Sequence, residues 1–89
     1  VYLAIAILPI EWFKGNRNKI FIEFKSVNSG KTKRIIHPAE LFTYLNNWYV
    51  AAFCELRNEI RLFKLNDIIS YKILDKKYEE VNLKIWSKN

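Results

Sequence analysis

Short strand-like runs separated by polar turns restrict this chain to a small β fold. The clearest run is residues 19–26, where Ile20, Ile22 and Phe24 alternate with mostly charged side chains. A period of two is typical of a half-buried strand. Further runs at 31–37, 48–56, 59–65 and 68–74 follow at close spacing. Short strands joined by tight turns predict a small barrel or sandwich.

The ends of the chain are less regular. Residues 1–8 are apolar and fit either a strand or a buried helical turn, which periodicity does not decide. Pro9 suits the first position of a short helix predicted over 9–14. Residues 81–86 alternate again and resemble a terminal strand. We also expect Pro38 to end the strand 31–37, because proline has no N–H for the ladder.

The two central runs predict which side chains share a face. A two-residue turn at 57–58 would place Cys54 opposite Arg61 in an antiparallel pair. By alternation, Trp48 then lies on the same face as these residues and Tyr49 lies on the other. One ring of this aromatic pair is therefore expected in the core, and a bulge would exchange which one.

Composition limits the domain count and the partners. The chain has 89 residues, of which 51% are hydrophobic, which predicts one domain over 1–89. Its net charge of +6 favours an acidic partner such as nucleic acid or an anionic membrane surface, although solubility alone explains such a charge as well. Because the sequence begins with Val1 and not Met, we interpret it as a piece of a longer protein.

The cysteine content and the apolar residues 1–8 indicate in which cellular compartment the protein is expected. Cys54 is the only cysteine, so an internal disulfide and a cysteine-based zinc site are excluded, and a buried, inert thiol is expected. Residues 1–8 are too short to cross a bilayer and lack the features of a signal peptide. We therefore expect a cytoplasmic protein that makes no membrane contact.

Three ordered motifs in the chain resemble the WYL domain family. The hallmark tripeptide stands at 48–50, with valine in place of the usual leucine. Arg34 and Pro38 match the upstream Arg-x-x-x-Pro element, and Arg61 and Phe63 match the downstream Arg-x-Phe element. The three motifs together are fairly specific for the family, whereas the tripeptide alone would be weak evidence for it.

The resemblance covers residues 19–75, and it departs from the family pattern in one place. The Leu-Asp-Arg-Ile element is matched only by Leu65, Asn66 and Ile68, and Asp67 replaces its arginine. The expected site therefore has one cation fewer than usual. The resemblance implies a five-stranded, strongly bent Sm-like barrel of the SH3 type, to which the predicted N-terminal helix would be added.

WYL domains are usually regulatory, ligand-binding modules, and their ligand is often nucleic acid or nucleotide-like. The resemblance therefore implies a bacterial accessory domain that contacts single-stranded DNA or RNA and supports a fused DNA helicase. The alternative is an effector-sensing domain of a transcription regulator that binds a small anion. A third reading is a docking module without a ligand, whose strand edges pair with a partner.

The candidate site is basic and aromatic. Planar guanidinium groups suit bidentate phosphate contacts, and an exposed indole ring suits base stacking. The predicted nucleic-acid-binding residues are Arg34, Arg61, Trp48, Tyr49, Lys33, Arg57, Lys31 and Lys64. The single histidine, His37, has no obvious catalytic or metal-binding neighbours in the sequence, and no glycine-rich phosphate loop is present. We expect no catalysis, no metal and no cofactor.

Overall fold

The computed structural model describes residues 10–13, 17–26, 28 and 30–79. In chain order these residues form a first 3₁₀ turn (Ile10–Phe13), β1 (Asn18–Ser26), β2 (Gly30–Tyr44), β3 (Asn47–Cys54), β4 (Glu59–Lys64), a second 3₁₀ turn (Leu65–Asp67) and β5 (Ile68–Lys77). The mainly β prediction is confirmed. The predicted N-terminal helix is not confirmed, because its described residues form one 3₁₀ turn. The runs at 1–8 and 81–86 lie outside the described residues.

The five strands form one antiparallel sheet in the order β4-β3-β2-β1-β5. The expected Sm-like or SH3-type barrel is not confirmed, because β4 and β5 are the two edges and the described residues do not pair them. The sheet is nevertheless bent. Phe24 of β1 meets Phe63 of β4 at 5.1 Å between ring centroids, and the second 3₁₀ turn contacts both β1 and β3. The core lies inside this bend.

Pro38 does not end its strand, contrary to the prediction. β2 runs through it for 15 residues, and the register with β3 shifts between Pro38 and Glu40. A proline leaves a gap in the hydrogen-bond ladder, and an extra residue at a bulge accommodates such a gap while bending the strand. Residues 40–44 are therefore the distal part of β2 and continue the same strand.

The connection between β3 and β4 is longer than predicted. Residues 55–58 form the turn, and Cys54 pairs with Glu59 instead of Arg61. Asn58 adopts a left-handed conformation (φ 56°) and donates its backbone N–H to the Cys54 carbonyl; asparagine tolerates this region better than most residues. The predicted register is wrong by two residues. Because side chains alternate with a period of two, the predicted faces are still correct.

One face of the sheet carries the core, and we call it the inner face. Its fully buried side chains include Ile20 and Ile22 from β1, Ile36 from β2, and Val50 and Cys54 from β3. The alternation of β1 and the buried, free thiol of Cys54 are thus as predicted. The opposite, outer face carries most of the charged side chains of β1 and the proximal half of β2.

Candidate nucleic-acid interface

Arg34 lies on the inner face among apolar side chains. It projects from β2 between Thr32 and Ile36, and its direct partner on β1 is Ile22. Only 8% of its surface is exposed, which makes it the buried charged side chain among the described residues. A cation at such a position costs several kcal/mol of desolvation, on the order of a core substitution, unless a partner offsets it.

The contacts of the Arg34 guanidinium do not supply that partner. Nη1 donates to Sγ of Cys54 at 3.5 Å, and a thiol is only a weak acceptor. Cζ lies 5.3 Å from the centroid of the Phe24 ring, a cation–π distance. Nε is buried and has no hydrogen-bond partner among the described residues. No described carboxylate forms an ion pair with Arg34, so its charge is directed into the core without an anion.

Thr32 adds a second unsatisfied group beside Arg34. It lies two residues earlier on the same face of β2, directly opposite Phe24 of β1. Its hydroxyl oxygen is buried and has no hydrogen-bond partner in the part of the chain that the structure describes. Buried polar atoms are nearly always satisfied, so two such atoms around one aromatic ring call for a ligand or bound water.

Arg61 shares the inner face but is in a different state. It pairs with Ala52 of β3, which fixes its face. Its side chain is 45% exposed, and Nη1 lies 2.8 Å from Oε2 of Glu59, two residues earlier on the same strand. An exposed pair of this kind contributes at most about 1 kcal/mol, so a phosphate can displace the carboxylate. The structure therefore places both predicted arginines on one face.

The two rings of the tripeptide lie on opposite faces, and neither belongs to the core cluster. Trp48 lies on the inner-face side of β3 and is 39% exposed. Tyr49 is half-buried on the outer face and stacks on Phe42, with ring centroids 5.7 Å apart. Trp48 is therefore the ring that shares the face of the arginines.

The predicted basic rim is split by the sheet. Lys31 and Lys33 lie on the outer face, opposite Lys25 and Glu23. Lys64 lies on the outer face of β4, opposite Tyr49. Arg57 is exposed in the 55–58 turn. These residues do not converge on Arg34.

A charged cluster on the outer face is absent from the sequence predictions. Oε2 of Glu55 lies 2.7 Å from Nε2 of His37 and 2.8 Å from Nζ of Lys19. Hydrogen bonds from Lys19 and His37 lower the pKa of Glu55 below its ordinary value. The His37 ring stacks on Tyr78 at 4.9 Å. We call these four residues the outer clasp, because they join β1, β2, the 55–58 turn and the segment after β5.

The partly buried hydroxyl of Tyr78 ties this residue to β2. The phenol donates to the backbone carbonyl of Pro38, close to the bulge. Burial raises the pKa of Tyr78 above its ordinary value. No spacing rule links these residues, since 18 positions separate His37 from Glu55 and 40 separate Pro38 from Tyr78. His37 and Glu55 offer two metal-binding side chains, and the described part of the chain adds no third.

Comparison with known proteins identifies the family. The family model named WYL domain matches residues 15–73. The chain therefore belongs to the WYL domain family, and the resemblance seen in its motifs is confirmed. No curated protein matches it in sequence. In the described residues, no helix is long and apolar enough to cross a membrane.

A solved structure resembles the fold of this chain. Proteasome accessory factor B/C (PafBC) of Arthrobacter aurescens superposes with a TM-score of 0.68 at 18% sequence identity. The match covers 76% of this chain but only 11% of PafBC. At this identity the likeness concerns the fold. The chain thus corresponds to a small part of that much longer protein.

Proposed function

We propose that this domain is a non-catalytic regulatory module that binds single-stranded nucleic acid on its inner face. The observation that supports this most is Arg34, a buried guanidinium without a carboxylate partner among the described residues. Membership in the WYL family supports a regulatory role, and the net charge of +6 supports a polyanionic ligand.

In this proposal the two arginines bind phosphates and Trp48 provides a surface for a base. Arg61 exchanges its weak bond to Glu59 for a phosphate, which its planar fork suits better. Stacking on an exposed ring contributes about 1–3 kcal/mol per base and accepts any base. Sequence preference is therefore slight. The outer-face lysines and Arg57 add general attraction without specific contacts.

Salt-dependent binding tests the proposal. We expect single-stranded DNA or RNA to bind more tightly than duplex in fluorescence anisotropy titrations. Each lost phosphate contact lowers the slope of log K against log salt by about 0.7 for a single strand. Arg61→Ala should show this reduction together with weaker binding.

Lys72→Ala is the matched control, because it removes one positive charge from the outer face of β5, opposite Phe21. Equal effects of Arg61→Ala and Lys72→Ala would contradict a site on the inner face. Absence of binding to any strand at low salt would contradict the function itself.

The parent protein is a further part of the proposal. We propose that the domain supports a fused bacterial DNA helicase in the cytoplasm. The alternative is an effector sensor in a transcription regulator, and the burial of Arg34 favours it, because a small anion reaches a buried guanidinium more easily than a polymer does. The domain encoded beside this one, a motor or a winged helix, distinguishes the two.

A further inference from the structure

We propose that Arg34 and Thr32 form a site for a phosphate monoester, the group found at the end of a nucleic-acid strand or on a mononucleotide. This inference rests on the proposed function and specifies the ligand of the same face. It concerns the inner end of the site, and Arg61 and Trp48 serve the part nearer to solvent.

The geometry brings two kinds of donor to one place. Arg34 and Thr32 project from the same face of β2, and both border the Phe24 ring, one at 5.3 Å above it and the other as its cross-strand partner. Nε of Arg34 and the hydroxyl of Thr32 are buried, and the described ranges supply no hydrogen-bond partner to either. Guanidinium and hydroxyl donors side by side are suited to an anion that presents several oxygens.

The charge of the site favours a doubly charged group. Arg34 has no carboxylate partner in the described ranges, and its thiol contact with Cys54 supplies no negative charge. A phosphate monoester carries about −1.5 to −2 at pH 7 and offers three acceptor oxygens. An internal phosphodiester carries only one negative charge and two free oxygens. The monoester therefore offsets more of the desolvation of Arg34.

Burial favours a chain end over the interior of a strand. Arg34 is 8% exposed, and the Phe24 ring beside it packs against Phe63 at 5.1 Å. An internal phosphate has a sugar on each side, and both sugars would have to enter the bend of the sheet with it. A terminal phosphate has one substituent, so it reaches Arg34 while the rest of the strand extends outwards past Arg61.

Oligonucleotides that differ only at their ends test this inference. The probes are a fluorescent thymidine oligomer with a 5′-phosphate, the same oligomer with a 3′-phosphate, one with hydroxyls at both ends, and a circular form of equal length. We expect one phosphorylated form to bind the full chain at least about tenfold more tightly than the hydroxyl and circular forms, as for a buried charge-assisted contact.

Competition with thymidine monophosphate separates the two sources of the monoester. If the mononucleotide competes as well as the phosphorylated oligomer, the site takes a small nucleotide. If it competes much more weakly, the site takes a strand end. Equal binding of the phosphorylated, hydroxyl and circular oligomers overturns the inference and leaves the proposed function intact, whereas no binding to any oligomer overturns both.

Two variants test which residues cause the preference for a phosphorylated end. Thr32→Val keeps the side-chain shape and removes the hydroxyl, and it should reduce the preference for the phosphorylated end several-fold. Arg34→Leu should abolish the preference while leaving residual binding through Arg61. Lys72→Ala, on the outer face, should leave the preference unchanged. If Arg34→Leu does not fold, Thr32→Val carries the test, and an unchanged preference in that variant contradicts the site.

Discussion

The buried or half-buried charges on the two faces of the sheet differ in their partners. On the outer face, Glu55 accepts from both Lys19 and His37 within 2.8 Å. On the inner face, Arg34 is more deeply buried, yet among the described residues its guanidinium interacts only with the Cys54 thiol and the Phe24 ring. Charges that maintain a fold are normally paired, as Glu55 is, and an unpaired buried charge makes folding less favourable.

Under the proposed function, this difference separates the charges that maintain the fold from the charge that binds the ligand. The outer clasp joins segments distant in the chain, and each of its polar contacts is complete without a ligand. The Arg34–Thr32 pair is incomplete in the described structure, and an external anion would complete it. Changes in the outer clasp should therefore lower stability and spare binding, and changes at Arg34 should weaken binding without lowering stability.

Replacing Arg34 is expected to have the largest effect on binding. Arg34→Leu should raise the free energy of unfolding by about 1–3 kcal/mol, since an isolated core ion costs several kcal/mol and its ring contact recovers only part of that. Binding to single strands should fall in the same variant. Urea unfolding measures the first effect, and anisotropy measures the second.

Ile36→Ala is the control for the packing of Arg34. It lies two residues away on the same buried face and should lower the free energy of unfolding by about 2–5 kcal/mol, as core truncations do. A comparable loss of stability in Arg34→Leu would contradict the comparison, because it would mean that the arginine maintains the fold.

A smaller effect is expected in the outer clasp. Glu55→Gln should lower the free energy of unfolding by about 1 kcal/mol at neutral pH, a modest value because solvent screens a side chain that is 33% exposed. Nucleic-acid affinity should stay unchanged. Urea unfolding of both proteins in one buffer series provides the measurement.

The pH profile of that difference has a definite sign. The pKa of Glu55 is lower in the folded protein, so its contribution is complete above its unfolded pKa, near 4.5, and disappears as the pH falls through the lower folded pKa. The part of the stability gap between wild type and Glu55→Gln that depends on the charge of Glu55 should therefore close as the pH falls below about 4.5. A gap that does not narrow at all as the pH falls below 4.5 would show that Glu55 acts through packing and not through its charge.

The features that the sequence predicts well are the local ones. Alternation in β1 placed Ile20 and Ile22 in the core, and the faces of β3 and β4 were correct although the turn at 55–58 is two residues longer than expected. An error of two residues preserves a period of two. The continuous β2 was missed, because a bulge at Pro38 has no local signal distinct from a strand end.

The sequence does not predict the features that depend on residues distant from one another in the chain. Burial of Arg34 is set by Phe24 and Cys54, which come from neighbouring strands of a bent sheet. The motif match marked Arg34 as a site residue, but no pattern in the chain indicates that it lacks a counterion. The outer clasp was missed because Lys19, His37 and Glu55 meet only once three strands are in register.

The smallest effect is expected at Arg61, which shares the inner face with Arg34 but is paired with a carboxylate. Its partner Glu59 is 55% exposed and lies 2.8 Å away. Glu59→Gln should change the free energy of unfolding by less than about 0.5 kcal/mol, as is usual for an exposed pair. It should also raise affinity for single strands about two- to threefold at low salt, since a carboxylate no longer competes with phosphate for Arg61 and local repulsion is removed. Anisotropy at 50 and 300 mM salt, with Glu79→Gln as an exposed control outside the sheet, measures this gain, which salt should largely remove. An equal gain in both variants would mean that net charge alone governs binding, and Arg61 would then be an ordinary surface residue like the lysines of the outer face.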